Sequence, residues 1–414
     1  MSNHGKILTL SNIILLLGLF VQVSGNRLTR WWDMAVGGGD VDASAGLCAL
    51  AVAPRGYKCE EHQVVTTDGY ILSMQRIPFG RNGGAGGTRR QPVLLQHGVL
   101  VDGITWLLNS PQESLAFILA DSGFDVWISN IRGTHFSRKH TSLDPNSRSY
   151  WDWSWDELVS TDLPAIVDFV YKQSSQKLHY VGHSLGTLVA LASFSEGKLV
   201  DKLKSAALLS PVAYLTHMQT PLGVLFANAF VGEIITNLLG VSEFNPASAV
   251  VVNLLKGFCS LPGIDCYDLM TSFTGNNCCL NASTLELFLK YEPQPTSTKN
   301  MVHLAQTFRD GVLTKYDYER EDLNIKSYGQ TTPPVYNLTN IPVDLPLFLS
   351  YGGEDLLSDV SDVAQLLDDL KLHQIDKLSV QFLKDFAHLD FIMGVTAKQV
   401  VYPSMISFFH DHDK

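Results

Sequence analysis

Positive charge is what this chain has least of. Its 414 residues carry 30 Lys and Arg against 41 Asp and Glu, a net charge of −11. No stretch gathers a basic cluster, so nucleic-acid binding is not expected. No C-x-x-C occurs among the six cysteines, and no carboxylate pattern accompanies His97 and His183. Neither a zinc site nor another metal or cofactor site is therefore called for, and both histidines read as structural or pocket residues. No internal repeat is evident, which excludes solenoids and arrays. The apolar run Ile13–Val21 is nine residues long, too short to span a bilayer. The longer apolar stretch 222–239 is interrupted by Asn228, Glu233 and Asn237. Apolar residues still make up 45 % of the chain, enough for a substantial core and too many for disorder.

Lys6, the apolar run after it and the small residues Val23-Ser24-Gly25 have the form of a signal peptide. Residues 1–25 are accordingly set apart, leaving a secreted chain, extracellular or vacuolar/lysosomal, without a membrane span. In that setting an even count of cysteines suggests disulfides. Cys48 is expected to pair with Cys59, leaving Cys259, Cys266, Cys278 and Cys279 to bridge within their own region. Asn281-Ala-Ser283 and Asn337-Leu-Thr339 are glycosylation sequons.

Segments 64–66 and 70–78 flank the turn Thr67-Asp68-Gly69, a hairpin signal. Residues 80–87 are a glycine-rich surface loop. Apolar strands and helical stretches then alternate: 93–96, 114–122, 126–129, 163–171, 178–181, 185–194 and 206–210. Such alternation predicts a mostly parallel sheet with helices on both faces. From about 213 to 340 the rhythm stops, and helical runs with few strand signals replace it. Strands return at 345–351 and 378–383, each followed by a helix. The organisation expected is an N-terminal segment over 26–58, a core over 59–212, an inserted helical cap over 213–340, and the rest of the core over 341–414.

Within this pattern Gly182-His-Ser-Leu-Gly186 lies between a short strand and a helix. A serine on such a sharp turn has its hydroxyl pushed outward, and glycines at 182 and 186 allow strand and helix to approach closely. An ordinary βα turn would read the same way, so partners decide the matter. In α/β-hydrolases the order is Ser, then Asp or Glu, then His. His217 and His303 fall in the expected cap, His373 at or near the end of a helical stretch, and His410 and His412 at the C-terminus. His388, on the loop after strand 378–383, remains as general base. Strand 345–351 runs into Gly352-Gly-Glu-Asp355, making Asp355 the acid that orients the imidazole. Glu354 should point elsewhere, and Asp359 should cap the next helix. The oxyanion needs two backbone N–H donors. Leu185, at the helix N-terminus, supplies one. Val99 supplies the other, after Gly98 permits an unusual turn.

Several motifs in this order resemble the acid lipases, the family of gastric lipase, lysosomal acid lipase and plant triacylglycerol lipases. They are Leu94-Leu-Gln-His-Gly-Val99, Leu115–Trp127, Asn130-Ile-Arg-Gly133, Gly182–Gly186, Gly352–Leu357 and His388-Leu-Asp-Phe391. The likeness spans roughly residues 50–410 and is nearest to a plant-type member. It implies an α/β-hydrolase core, a helical cap and hydrolysis of fatty-acyl esters of glycerol or sterols. Carried over by motif, Ser184 is nucleophile, Asp355 acid and His388 base, with Val99 and Leu185 as oxyanion donors. Animal members usually have Leu and Gln at those last two positions, a difference that touches pocket shape and leaves the backbone chemistry alone. Residues 26–47 match nothing in the family.

The leading expectation is a triacylglycerol lipase working at a lipid–water interface through an acyl-enzyme. The cap runs Leu222–Ala227, Ile234-Ile235 and Leu238-Leu239 would cover its acyl pocket. Alternatives are an esterase for steryl or short-chain esters, and a non-catalytic ligand-binding protein on the same fold. The complete Ser, Asp, His set weighs against the last.

Overall fold

The computed structural model describes residues 46–83, 89–218, 220, 242–246 and 269–413. The signal peptide, half of the glycine-rich loop, the apolar stretch 222–239, Cys259 and Cys266 lie outside the described residues.

Eleven strands occur among the described residues: β1 (Glu60–Val65), β2 (Tyr70–Ile77), β3 (Pro92–Gln96), β4 (Asp125–Ser129), β5 (Lys139–His140), β6 (Leu178–Ser184), β7 (Leu203–Pro211), β8 (Glu243–Phe244), β9 (Thr296–Ser297), β10 (Leu347–Gly352) and β11 (Leu378–Leu383). The main sheet has the order β1-β2-β4-β3-β6-β7-β10-β11, with β5 beside β2. From β4 to β11 every neighbour is parallel. β1 and β2 add an antiparallel hairpin at one edge. β1 begins at Glu60, four residues ahead of the apolar signal at Val64. It is an edge strand that buries only Val64, so polar residues suffice for the rest.

The central strands are apolar throughout because both faces are covered. Alternate residues feed two separate cores. Leu94, Trp127, Tyr180 and Leu208 lie in one, while Val93, Ile128, Val181 and Leu209 lie in the other. Helices Leu115–Asp121, Leu163–Ser174, Leu185–Ser195 and Val360–Asp369 connect the strands. Asp359 caps the last of these, its carboxylate accepting from Ser361 N at 2.7 Å. That helix ends before His373, whose ring bonds the Leu345 carbonyl instead.

At the N-terminal side, Leu47, Ala51 and Val52 join the second core. The Cys48–Cys59 disulfide ties them to the start of β1, in agreement with the pairing expected from sequence. Cys278 and Cys279 are joined to each other.

Between β7 and β10 the described residues are mainly helical: Leu269–Thr274, Ala282–Tyr291, Thr298–Asp310 and Glu321–Tyr328. The two-residue pair β8–β9 is the strand content there. It packs over a small cluster of Phe244, Val302, Ala305 and Tyr316. No helix among the described residues is long and apolar enough to cross a membrane.

β3 is the strand at which the sheet winds both ways. The chain leaves it for β4 on one side and returns through β6 on the other. The crevice beyond the carboxyl ends of two such strands is where ligands bind in open α/β sheets.

Candidate active site

β6 ends at Ser184, whose backbone angles are φ 55° and ψ −121°. A serine held there is strained, and such strain persists where surrounding structure enforces it. The enforcement comes from the two glycines. A Cβ on Gly182 would lie 2.9 Å from the Gly186 carbonyl carbon, and one on Gly186 would lie 2.5 Å from the Gln96 carbonyl oxygen. The Thr187 hydroxyl closes the turn onto the Ser184 carbonyl at 2.6 Å. Helix Leu185–Ser195, buried along its whole length, starts immediately after and directs its positive end at this point.

The other two residues of the expected triad meet each other directly. His388 Nδ1 lies 3.0 Å from both Asp355 carboxylate oxygens. Asp355 also accepts from Leu357 N at 2.9 Å and Ser358 N at 2.8 Å. Burial opposes its charge, but His388 and these N–H groups outweigh burial and hold the carboxyl below its ordinary value. Glu354 is exposed and turned away. With Nδ1–H committed to Asp355, Nε2 of His388 is left as acceptor. It is buried, and among the described residues no hydrogen bond joins it to another group, Ser184 included. Such bonds are often long before substrate arrives.

Ser184 and His388 are linked through His183. Its Nε2 donates to the His388 carbonyl at 2.9 Å, and the two rings lie 4.8 Å apart. Burial, then the neighbouring His388, depress His183 to about 3. It is therefore a neutral donor that joins the serine turn to the histidine loop. His97 is likewise neutral, depressed by burial to about 4. Its Nδ1–H donates to the Gly98 carbonyl and its Nε2 accepts from Ile131 N. Both histidines are held by hydrogen bonds to backbone groups.

Gly98 lies against Ser184, where a Cβ would come 2.9 Å from the serine Cβ. The unusual backbone expected at Gly98 falls instead at Leu100, with φ 61°. Gly98 is needed for space, and the bend comes two residues later. Neither Val99 N–H nor Leu185 N–H is taken by a turn or inter-element bond among the described residues.

Sequence reasoning missed the groups that fasten the histidine loop. The Asp390 carboxylate, fully buried, accepts from Ala387 N, Cys278 N and Cys279 N at 2.8 to 3.1 Å. Asn277 Oδ1 accepts from Leu389 N, and the Thr274 carbonyl from His388 N. The motif His388–Phe391 contains Asp390 but gives it no role, and two of its three partners lie more than a hundred residues away. Among the described residues, Cys278, Cys279 and Asp390 are the one cluster of metal-type donors. The sulfurs are bonded to each other and the carboxylate is filled by N–H groups, so neither is offered to an ion.

Ser184, Asp355 and His388 follow one another along the chain at the carboxyl edge of one parallel sheet. That order is the α/β-hydrolase order, and it defines the class. Residues 49–110 match the partial α/β-hydrolase lipase region, and residues 91–251 match the α/β hydrolase fold. Triacylglycerol lipase 2 of Arabidopsis thaliana is 60 % identical over 89 % of this chain and 88 % of its own length. Triacylglycerol lipase 1 of the same plant is 42 % identical over 88 % and 90 %. Human gastric triacylglycerol lipase is 36 % identical over 87 % and 89 %. A solved structure of monoglyceride lipase from Saccharomyces cerevisiae shares the fold, with a TM-score of 0.55 at 15 % identity, over 86 % of this chain and 95 % of that one. The chain belongs to the acid lipase family, and it is a carboxylic-ester hydrolase.

Proposed function

We propose that the chain is a triacylglycerol lipase of the secretory route that works through an acyl-enzyme on Ser184. The observation that carries this is the His388–Asp355 pair, whose Nε2 is free beside a strained serine turn. Ser184 Oγ attacks the ester carbonyl as His388 Nε2 takes its proton. Asp355 stabilises the imidazolium and fixes its tautomer. Val99 N–H and Leu185 N–H receive the oxyanion. Collapse breaks the acyl–oxygen bond, and His388 returns the proton to the departing glycerol oxygen. Water activated by the same imidazole then releases the fatty acid.

Residues 213–340 act as a cap over the acyl site in this reading, with the core on either side at 59–212 and 341–414. Burying a long acyl chain stabilises the complex by about 0.8 kcal/mol per CH₂, which favours a covered apolar pocket that opens at a lipid surface. Removal of residues 1–25 fits the same route. Asn281 and Asn337 are both exposed, and their side chains accept from Ser283 N and Thr339 N, so both sequons stand at accessible turns.

Two measurements test the reading. A fluorophosphonate probe should label the wild type and not Ser184→Ala, whose turnover should fall by about 10⁶-fold. Rates on a long-chain triacylglycerol should jump above its solubility limit and exceed those on acetyl esters. Simple saturation with a preference for short or steryl esters would replace the lipase reading by an esterase one. Wild-type turnover in Ser184→Ala would remove both.

A further inference from the structure

The loop after β3 is fastened by two buried acids that the reaction does not use. Asp102 and Glu292 are 1 % and 2 % exposed. The Glu292 carboxyl accepts from Asp102 N at 3.0 Å, and Asp102 Oδ1 accepts from Ile104 N at 2.8 Å. Their second oxygens, Asp102 Oδ2 and Glu292 Oε2, are buried without a partner. Two residues on, Gln294 N donates to the Leu100 carbonyl at 2.7 Å, and the Gln294 side chain accepts from His135 N. Residues 100 and 102 are thus both gripped by 292–294, at the end of helix Ala282–Tyr291, and Val99 adjoins the gripped stretch.

No cation accompanies these acids among the described residues. Among the described residues, the only charged group acting on Glu292 is Asp102, and burial dominates both. On the adjoining elements His97 and His135 are depressed by burial, and Arg138 is engaged with Glu243. A buried carboxylate without a counter-charge is costly and is avoided by keeping the proton.

We propose that Glu292 is a positioning residue for ester hydrolysis: by accepting from Asp102 N–H it holds residues 98–102 so that Val99 N–H meets the carbonyl attacked by Ser184. The proposal rests on the reading of Ser184 and Val99 given above. Burial pushes Asp102 up to about 7 and Glu292 well above the ordinary range. Both raised values have the same sign. The loop is held fully below the ordinary carboxylate range, and the hold is lost as pH rises through about 7, when charge enters a site that cannot solvate it.

The test uses the full chain with p-nitrophenyl butyrate, a soluble ester that needs no interface. Glu292→Leu leaves Asp102 N–H unpaired. It should lower kcat by about tenfold or more, up to the 10²–10³ that losing an oxyanion donor costs, with KM little changed. Glu292→Gln keeps an acceptor and should recover most of that loss. The double amide Asp102→Asn/Glu292→Gln has no acid at either position to titrate, so its kcat/KM should lack the fall near about pH 7 expected of the wild type. An unaltered kcat in Glu292→Leu, or an identical alkaline limb in the double amide, would overturn the proposal. Should Glu292→Leu fail to fold, the profile of the double amide still decides. Ser184→Ala, assayed alongside, separates the two failures. Residual turnover there discredits the underlying mechanism, whereas a dead Ser184→Ala with indifferent Glu292 variants discredits this inference alone.

Discussion

The turn at Ser184 is held by its own neighbours, whereas the loop at His388 is held by residues from far along the chain. At the serine, Gly182, Gly186 and Thr187 do the fastening within six residues, with the Gln96 carbonyl packed against Gly186. At the histidine, the fastening groups are Thr274, Asn277, Cys278 and Cys279 on one side and His183 on the other. A local device is rigid and fails outright when one atom is added. A dispersed device shares its load, so single losses should be partial, and it couples the base to the inserted block as well as to the core.

Four substitutions or conditions would break or sharpen this contrast. The largest effect of the four is expected at Asp355, the carboxylate that holds the His388 ring. Asp355→Asn should cost about 10⁴-fold in kcat by favouring the wrong imidazole tautomer, with labelling of Ser184 slowed in parallel. Next comes Asp390→Asn, which leaves one acceptor oxygen for three N–H groups. A shift of the His388 ring should lower kcat by up to about 10²-fold while KM holds, as steady-state kinetics would reveal. A loss as deep as that of Asp355→Asn would contradict the idea of shared load. Gly186→Ala drives a Cβ into the Gln96 carbonyl and should destabilise the fold by about 1–3 kcal/mol, measurable by urea unfolding. An unchanged midpoint would refute the local account.

The smallest effect concerns pH. The carboxyl of Asp355 is depressed, so its contribution to stability is present above about pH 4 and lost as pH falls through the lower folded value. The Tm of Asp355→Asn should therefore decline less than that of the wild type between about pH 5 and pH 2. The acids at 102 and 292 have the opposite sign and lose their contribution as pH rises.

The same contrast explains what could be read in advance. The serine turn was legible because its physics is local: glycines at 182 and 186, an apolar strand before, a helix after. Asp355 and His388 were chosen by elimination, since chain order and returning strands left few candidates. The mostly parallel sheet followed from alternation, except that polar β1 began before its apolar signal. Asp390, Asn277 and Glu292 could not be reached that way. Each acts on a backbone N–H distant in sequence, and nothing in a residue's own neighbourhood marks it for such a task. The bend at Leu100 escaped for a related reason. Gly98 looked like the flexible position, but contact with Ser184 was its constraint.

The order of strands has a consequence for biosynthesis. β7 is complete at Pro211, and β10, the strand that covers its free edge, does not begin until Leu347. At about 5–20 residues per second, a ribosome needs on the order of ten seconds to cross that interval. For that time the nascent chain carries an apolar strand edge without its partner, the kind of edge that recruits other chains. Yield in a cell should then depend on how well the exposed edge is shielded during elongation, so that chaperone supply or a slower rate of initiation would raise recovery without altering a single contact of the finished enzyme.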